Sequence, residues 1–238
     1  METIDLDRTV GELVVRYPSL ADLFEEFQLD YCCGGNLSLE DACKKSKLDF
    51  ELMKTELKSA LLKSKPSANV VGKDDPFSSI VEHILTRYHE PTKKLLQQVV
   101  EQSAKVAKVH GEKNNKLDSL NQHLNLLAED LLPHMEKEEK VLFPYLLLLD
   151  DASSVPEIHC GTVANPISVM KAEHERTGEL LSKIRELADD YTPPEWACNT
   201  YRVLLERLKT LEQETHKHIH LENNLLFPKT LAKVESLN

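Results

Sequence analysis

Residues 134–144 read HMEKEEKVLFP, and residues 218–228 read HIHLENNLLFP. Both fit H-x3-E-x3-L-F-P, 84 residues apart. His134 and Glu138 are four residues apart, as are His218 and Glu222, so on a helix each pair shares one face. The residues upstream say which face. Before His134 the apolar positions are Leu120, Leu124, Leu127 and Leu131, and the same 3-4 rhythm runs on through His134 and Glu138 to Val141. Before His218 they are Leu204, Leu208 and Leu211, followed by Thr215, and the rhythm continues through Glu222 to Leu225. Both His–Glu pairs are therefore expected on inner faces. His216 and His220 fall off the seam and are expected in solvent.

A second repeat lies outside the first. His89-Glu-Pro-Thr-Lys-Lys-Leu-Leu matches His174-Glu-Arg-Thr-Gly-Glu-Leu-Leu, 85 residues on. One histidine followed about 45 residues later by H-x3-E thus occurs twice, which predicts two helical hairpins related by a pseudo-twofold axis. Four long helical patterns carry these residues. The first opens at Asp75 as cap, with Pro76 at the first helical position, and runs to Val109. The second runs from Leu117 to Phe143 and stops at Pro144. The third opens at Asn165-Pro166 and ends near Asp190. The fourth follows Pro193-Pro194 and stops at Pro228. The expected fold is all-α, with residues 76–238 a four-helix bundle. Residues 64–75, SKPSANVVGKDD, read as a linker. Residues 1–63 read as a small helical domain with stretches over Val10–Val15, Leu20–Phe27 and Leu39–Leu62. Ser38 caps the third, and Cys32-Cys33-Gly34-Gly35 precedes it.

The chemistry follows from the pattern. An uncompensated carboxylate in a bundle core costs on the order of several kcal/mol. Two such carboxylates among four inward histidines call for a metal cluster. His89, His134, Glu138, His174, His218 and Glu222 are the expected ligands. With no thiolate among them, structural zinc and soft-metal sites are disfavoured, and imidazole plus carboxylate suits iron first and manganese second. If both glutamates bridge and an oxo or hydroxo group is added, each of two irons is left with one open position. Such a pair can meet O2, NO or peroxide. Pro91 is expected to kink or locally unwind the first helix. Gly178 stands four residues after His174 and either leaves room for a small molecule or lets helices pack closely. Asp130, one turn before His134, and Glu173, beside His174, are candidates to contact the ligands from behind, to relay protons or to line an iron exit path.

Composition narrows the function classes. Lys and Arg number 29 against 40 Asp and Glu, giving a net charge of −11. That balance repels phosphate backbones, and no basic cluster overrides it, so nucleic acid is not an expected partner. The N-terminal residues lack the basic and apolar regions of a secretory signal, and the run Val141–Leu149 is broken by Pro144 and too short for a bilayer. A cytoplasmic protein without membrane contact is expected. The cysteines are Cys32, Cys33, Cys43, Cys160 and Cys198. An odd count in such a setting predicts free or redox-active thiols. The adjacent pair Cys32-Cys33 cannot easily bridge itself. It serves thiol chemistry, transient metal holding or partner contact, or is simply two small buried side chains. Cys43 and Cys198 are expected in the core.

These residues together resemble a known family. The histidine–glutamate set, with Asp30-Tyr31-Cys32-Cys33-Gly34-Gly35, Asn165-Pro166-Ile167, Glu173-His174 and Leu221-Glu222-Asn223-Asn224, is similar to the hemerythrin-like di-iron proteins for repair of iron centres, over nearly the whole chain, which implies a hemerythrin-like bundle over residues 76–238. The resemblance implies a stress-responsive cytoplasmic protein, often a homodimer, that helps restore iron–sulfur clusters damaged by nitric oxide or oxidants. It implies release of iron from the centre to damaged cluster proteins, hence an iron donor rather than an enzyme. An NO or peroxide reductase and an O2 or NO carrier or sensor are the alternatives. It also carries Asp130 and Glu173 over as acidic positions near the site, although a glutamate is more usual at the first. Pro91 and segment 145–164 depart from the family pattern.

Overall fold

A computed structural model describes residues 8–63, 71–158 and 161–237. Residues 64–70 of the expected linker, and His159 and Cys160, lie outside the described residues. Within them the chain is all-α, with a single isolated bridge between Thr9 and Ser38. In chain order the helices are α1 (Val10–Arg16), α2 (Leu20–Glu26), α3 (Leu39–Lys45), α4 (Phe50–Lys63), α5 (Phe77–Ile84), α6 (Glu90–His110), α7 (Lys116–Lys137), α8 (Phe143–Leu148), α9 (Ala164–Leu187), α10 (Asn199–Leu221) and α11 (Phe227–Leu237).

Three five-residue π-helical turns interrupt these helices at Leu85–His89, Glu138–Leu142 and Glu222–Leu226. Each lies two residues before a proline: Pro91, Pro144 and Pro228. A proline has no N–H, and its ring collides with the carbonyl four residues back in a regular helix. Here the residue before each proline bonds five back instead: Glu90 N–H to the Leu85 carbonyl, Phe143 to Glu138, and Phe227 to Glu222. The wider turn accommodates the ring, so the local unwinding expected at Pro91 takes this form. It also explains why the helices expected to stop at Pro144 and Pro228 run on into α8 and α11. The extra residue shifts the phase beyond it. Val141, expected on the inner seam, is 55% exposed, and Leu142 takes its place at 2%.

The chain divides into two compact units. One takes in Val81–Leu147 and Glu157–Thr215. In it α6, α7, α9 and the start of α10 pack as four helices around Leu96, Leu120, Leu124, Leu127, Leu181, Leu204 and Leu208. The core lines up because each helix repeats its buried positions at three- and four-residue intervals, with leucine in α7 and α10 and mixed residue types in α6 and α9. A buried Glu212 crosses this core; it accepts from Tyr191 Oη at 2.9 Å and pairs with Arg185 Nη2 at 2.6 Å. The other unit takes in Met1–Ile80, Leu148–Pro156 and His216–Asn238. Its core is Leu13, Leu20, Phe24, Tyr31, Leu39, Met53 and Leu57. The sequence division at residue 76 thus differs from this grouping, in which residues 216–238 go with the N-terminal segment.

Local signals account for most boundaries. Thr9 and Glu12 form a reciprocal capping box at α1, and Ser38 Oγ accepts from Asp41 N–H at 3.1 Å at α3. The single helix expected over Leu39–Leu62 is two. Lys47 adopts a left-handed φ of 58°, Leu48 N–H returns to the Cys43 carbonyl at 2.8 Å, and Asp49 then caps α4 by accepting from Leu52 N–H at 2.8 Å. Asp75 does not cap α5. It accepts from Gly72 N–H, while the Phe77 and Ser78 amides donate to Asp150 at 2.6 and 2.9 Å. Asn165 lies inside α9, whose cap residue is Val163.

Candidate metal centre

In the bundle unit four of the expected ligands are buried together. His89 closes the first π turn, Glu138 opens the second, His134 sits in the last turn of α7 and His174 midway along α9. His134, Glu138 and His174 each bring a donor atom to within 4.8 Å of the others, as do His89 and Glu138. Glu138 is fully buried, with one oxygen 3.5 Å from His89 Nε2 and 3.4 Å from His134 Nε2. The Nε2 atoms of His134 and His174 are 3.0 Å apart. Two imidazole nitrogens at that distance share a proton or a cation. A cation with bonds of ~2.1 Å at right angles sets its ligand atoms ~3.0 Å apart.

The backs of two rings are held by carboxylates. His89 Nδ1–H donates to Glu139 Oε1 at 2.7 Å, and His134 Nδ1–H donates to Glu173 Oε2 at 2.8 Å. A carboxylate only accepts, so each bond places a ring proton on Nδ1, and in the neutral imidazole that leaves Nε2 as the nitrogen that can bind a metal. Lys93 binds Glu139 at 2.6 and 2.7 Å, and Lys137 binds Glu173. Burial pushes both carboxyls up, but the lysine ammonium and the histidine ring hold each below the ordinary carboxylate range. Glu173 thus reaches His134 on the neighbouring helix rather than its own neighbour His174. Glu139 escaped the sequence reading because it lies in the charged run Glu136–Lys140, which looks like a solvated face. Its adjacency to Glu138 on a turn near His89 was the only available hint. Asp130 does something else: it pairs with Arg176 Nε at 2.7 Å.

In the other unit His218 and Glu222 are both fully buried, with Nε2 and Oε1 2.9 Å apart. His216 and His220 are expected in solvent, but His216 is partly buried and His220 buried. His216 Nδ1 lies 2.7 Å from Glu25 Oε1. His220 is buried beside Tyr31, its Nδ1 3.3 Å from the Tyr31 carbonyl, and burial pushes its pKa down to about 4. The helical period gave their angular positions correctly, but the covering surface comes from residues nearly two hundred positions earlier. Asn224 Nδ2 donates to the carbonyls of Tyr31 and Cys32 at 3.2 and 3.1 Å, and Asn223 also reaches Cys32. A Cβ on Gly35 would meet the Asn224 side chain and come within 2.7 Å of the Tyr31 carbonyl, so only glycine fits there.

Cys32 and Cys33 are free thiols with sulfurs 3.6 Å apart. Asp30 Oδ1 accepts from Cys33 N–H at 2.9 Å and lies 3.6 Å from Cys32 Sγ. The hydrogen bond with Cys33, followed by burial, raises the Cys32 pKa. Cys43 is buried as expected, whereas Cys198 is exposed at the surface.

Buried imidazoles and carboxylates on a helical bundle agree with what the sequence is similar to. The Hemerythrin HHE cation binding domain matches residues 81–230, and a domain of unknown function (DUF542) matches residues 6–61. The chain belongs to the hemerythrin HHE cation-binding family. Among its relatives is the iron-sulfur cluster repair protein YtfE of Cronobacter sakazakii, 38% identical over 229 residues, covering 95% of this chain and 97% of that one. The protein of the same description from Escherichia coli is 36% identical over 230 residues, with the same coverage. Among the described residues no helix is long and apolar enough to cross a membrane.

Proposed function

We propose that His89, His134, Glu138, His174, His218 and Glu222 hold a pair of iron ions, and that the protein serves the repair of iron–sulfur clusters damaged by nitrosative or oxidative stress, with iron as its cargo. The observation that carries the reading is the fully buried Glu138, set between the Nε2 atoms of His89 and His134. The donor set favours iron over softer metals, because it is imidazole and carboxylate without thiolate. The duplicated histidine and H-x3-E pattern supports His218 and Glu222 as the counterparts of His134 and Glu138. The relatives' description as cluster repair proteins supports the use.

When bound, the iron pair supplies redox-capable ions open to small ligands such as NO or O2. The chain's own residues do the rest. Glu139 and Glu173 fix the tautomers of His89 and His134, and Lys93 and Lys137 balance their charge. His134 is buried, Glu173 is partly exposed and Lys137 half exposed, so this line of contacts leads from a proposed ligand to solvent. This line, rather than Asp130, which is engaged with Arg176, is the path for iron to leave. Damaged cluster proteins are the partners this reading requires, and a cytoplasmic homodimer is the form it assumes.

The test is reactivation. A cluster enzyme inactivated by NO is incubated with the iron-loaded protein under reducing conditions. Recovery of activity, with iron lost from this protein and no recovery with Glu138→Ala, is the expected result. Iron that stays bound while NO or peroxide is consumed over many turnovers assigns a reductase instead. Reversible gas binding with unchanged iron assigns a carrier.

A further inference from the structure

Cys198 and His110 form a pair that the metal chemistry leaves unused. His110 ends α6, and Cys198 immediately precedes α10. The Cys198 carbonyl accepts the Tyr201 and Arg202 amides at 3.1 Å each, which places the residue at the helix cap. Its Sγ is 3.2 Å from His110 Nε2. Along α6, His110 lies about 30 Å from His89. The thiol is exposed, so a reagent can reach it.

The surroundings hold the imidazole in place. Its ring stacks on Tyr201 at 6.1 Å between centroids and meets Trp196 at 5.7 Å. Lys113 Nζ lies 5.7 Å from the centre of the Trp196 ring. The site therefore combines a nucleophilic sulfur, a base within proton-transfer distance, an aromatic wall that is 41% exposed at Trp196, and a cation beside it.

We propose that Cys198 is a reactive thiol assisted by His110, and that it exchanges with small disulfides bearing carboxylates to form a reversible mixed disulfide. In the exchange the Cys198 proton passes to His110 Nε2 and the sulfur attacks one sulfur of the disulfide. The old S–S bond breaks, a new one forms to Cys198, and the departing thiolate takes the proton from His110. The electron count closes within the two reactants: Cys198 is oxidised to the disulfide level as the released sulfur is reduced to a thiol. Lys113 attracts the carboxylates, and Trp196 offers the surface on which the ligand lies.

An ordinary cysteine is only a few per cent thiolate at pH 7, so assistance can raise the rate by at most ~30-fold, and reduced nucleophilicity brings the expected gain nearer ~10-fold. The full-length protein, purified with its metal, is incubated with glutathione disulfide at pH 7 and quenched in acid. Adducts are then assigned by peptide mass spectrometry. Cys198 is expected to react ~10-fold slower in both His110→Gln and His110→Asn, with the rate at Cys33, the metal content and the thermal midpoint unchanged. Lys113→Gln is expected to slow glutathione disulfide but not the uncharged hydroxyethyl disulfide. A Cys198 rate within ~2-fold of wild type in both His110 variants overturns the base. Equal sensitivity of the two disulfides to Lys113→Gln overturns the carboxylate preference. Absence of any Cys198 adduct overturns the site.

Discussion

Replacing Glu173 by Gln separates a residue that orients a ligand from one that is merely nearby. The Glu173 carboxylate accepts the Nδ1–H of His134 at 2.8 Å, which keeps that ring's Nε2 free of hydrogen and turned toward Glu138 and His174. The amide of glutamine keeps an accepting oxygen but loses the charge, and it can rotate to present N–H and so favour the other tautomer. Carboxylates in this position are worth about 10- to 100-fold in metal affinity, or roughly 1.4–2.7 kcal/mol. Glu173 is 31% exposed, so solvent screening places the expected loss near the lower end, about 10-fold. The assay is anaerobic competition for Fe(II) against a chromophoric chelator, with Asp130→Asn as control. Asp130 also lies near the ligands but pairs with Arg176 rather than with a ring. Its replacement should leave affinity unchanged. Affinity within ~2-fold of wild type for Glu173→Gln, or an equal loss for Asp130→Asn, would refute the orientation argument.

Other consequences concern the scaffold. Glu212→Ala removes the buried partner of Arg185 and leaves it only Asp190, and should cost about 3 kcal/mol in urea unfolding, the low end for breaking a buried pair, while Glu212→Gln, which still accepts from Tyr191, should cost less. Asp150→Asn should remove about 0.5–2 kcal/mol by weakening the cap on α5. Burial opposes ionisation of Asp150, but the Ser78 and Phe77 amides win and hold its pKa below the ordinary 3.8. The carboxylate's contribution is therefore full above that value and lost as pH falls through the lower folded value. The thermal-midpoint gap between wild type and Asp150→Asn should stay constant from pH 7 to about 4 and narrow only below it. Gly35→Ala forces a methyl group against Asn224 and the Tyr31 carbonyl and should cost about 1–3 kcal/mol by chemical denaturation, with far less effect at Gly72, where the nearest atom is 3.9 Å away.

Much of this was readable because the fold rests on short-range periods. The leucine rhythm brought His134, Glu138, His218 and Glu222 to inner faces, and all four are buried. The same reasoning misplaced Val141 because a fixed period cannot represent a π turn. Pro144 and Pro228, read as helix stops, concealed the turns before them, whereas Pro91 was read as a local unwinding. Caps within a few residues, such as Ser38 and Thr9, were legible or followed standard patterns. Asp150 was not, since it lies more than seventy residues from the amides it caps. Glu139 and the cover over His216 and His220 failed for the same reason. Each depends on which surfaces meet, and a helical wheel records only which direction a side chain faces. Cys198 looked like a small core residue by type, whereas its place at a helix cap puts it outside.

The most direct measurement is anaerobic metal analysis with iron Mössbauer spectroscopy on the purified full-length protein and on His218→Ala. Two irons per chain with the spectrum of a coupled pair, and loss of that pair in the variant, are predicted. A single zinc and no iron, or a coupled iron pair undisturbed by His218→Ala, would contradict the account.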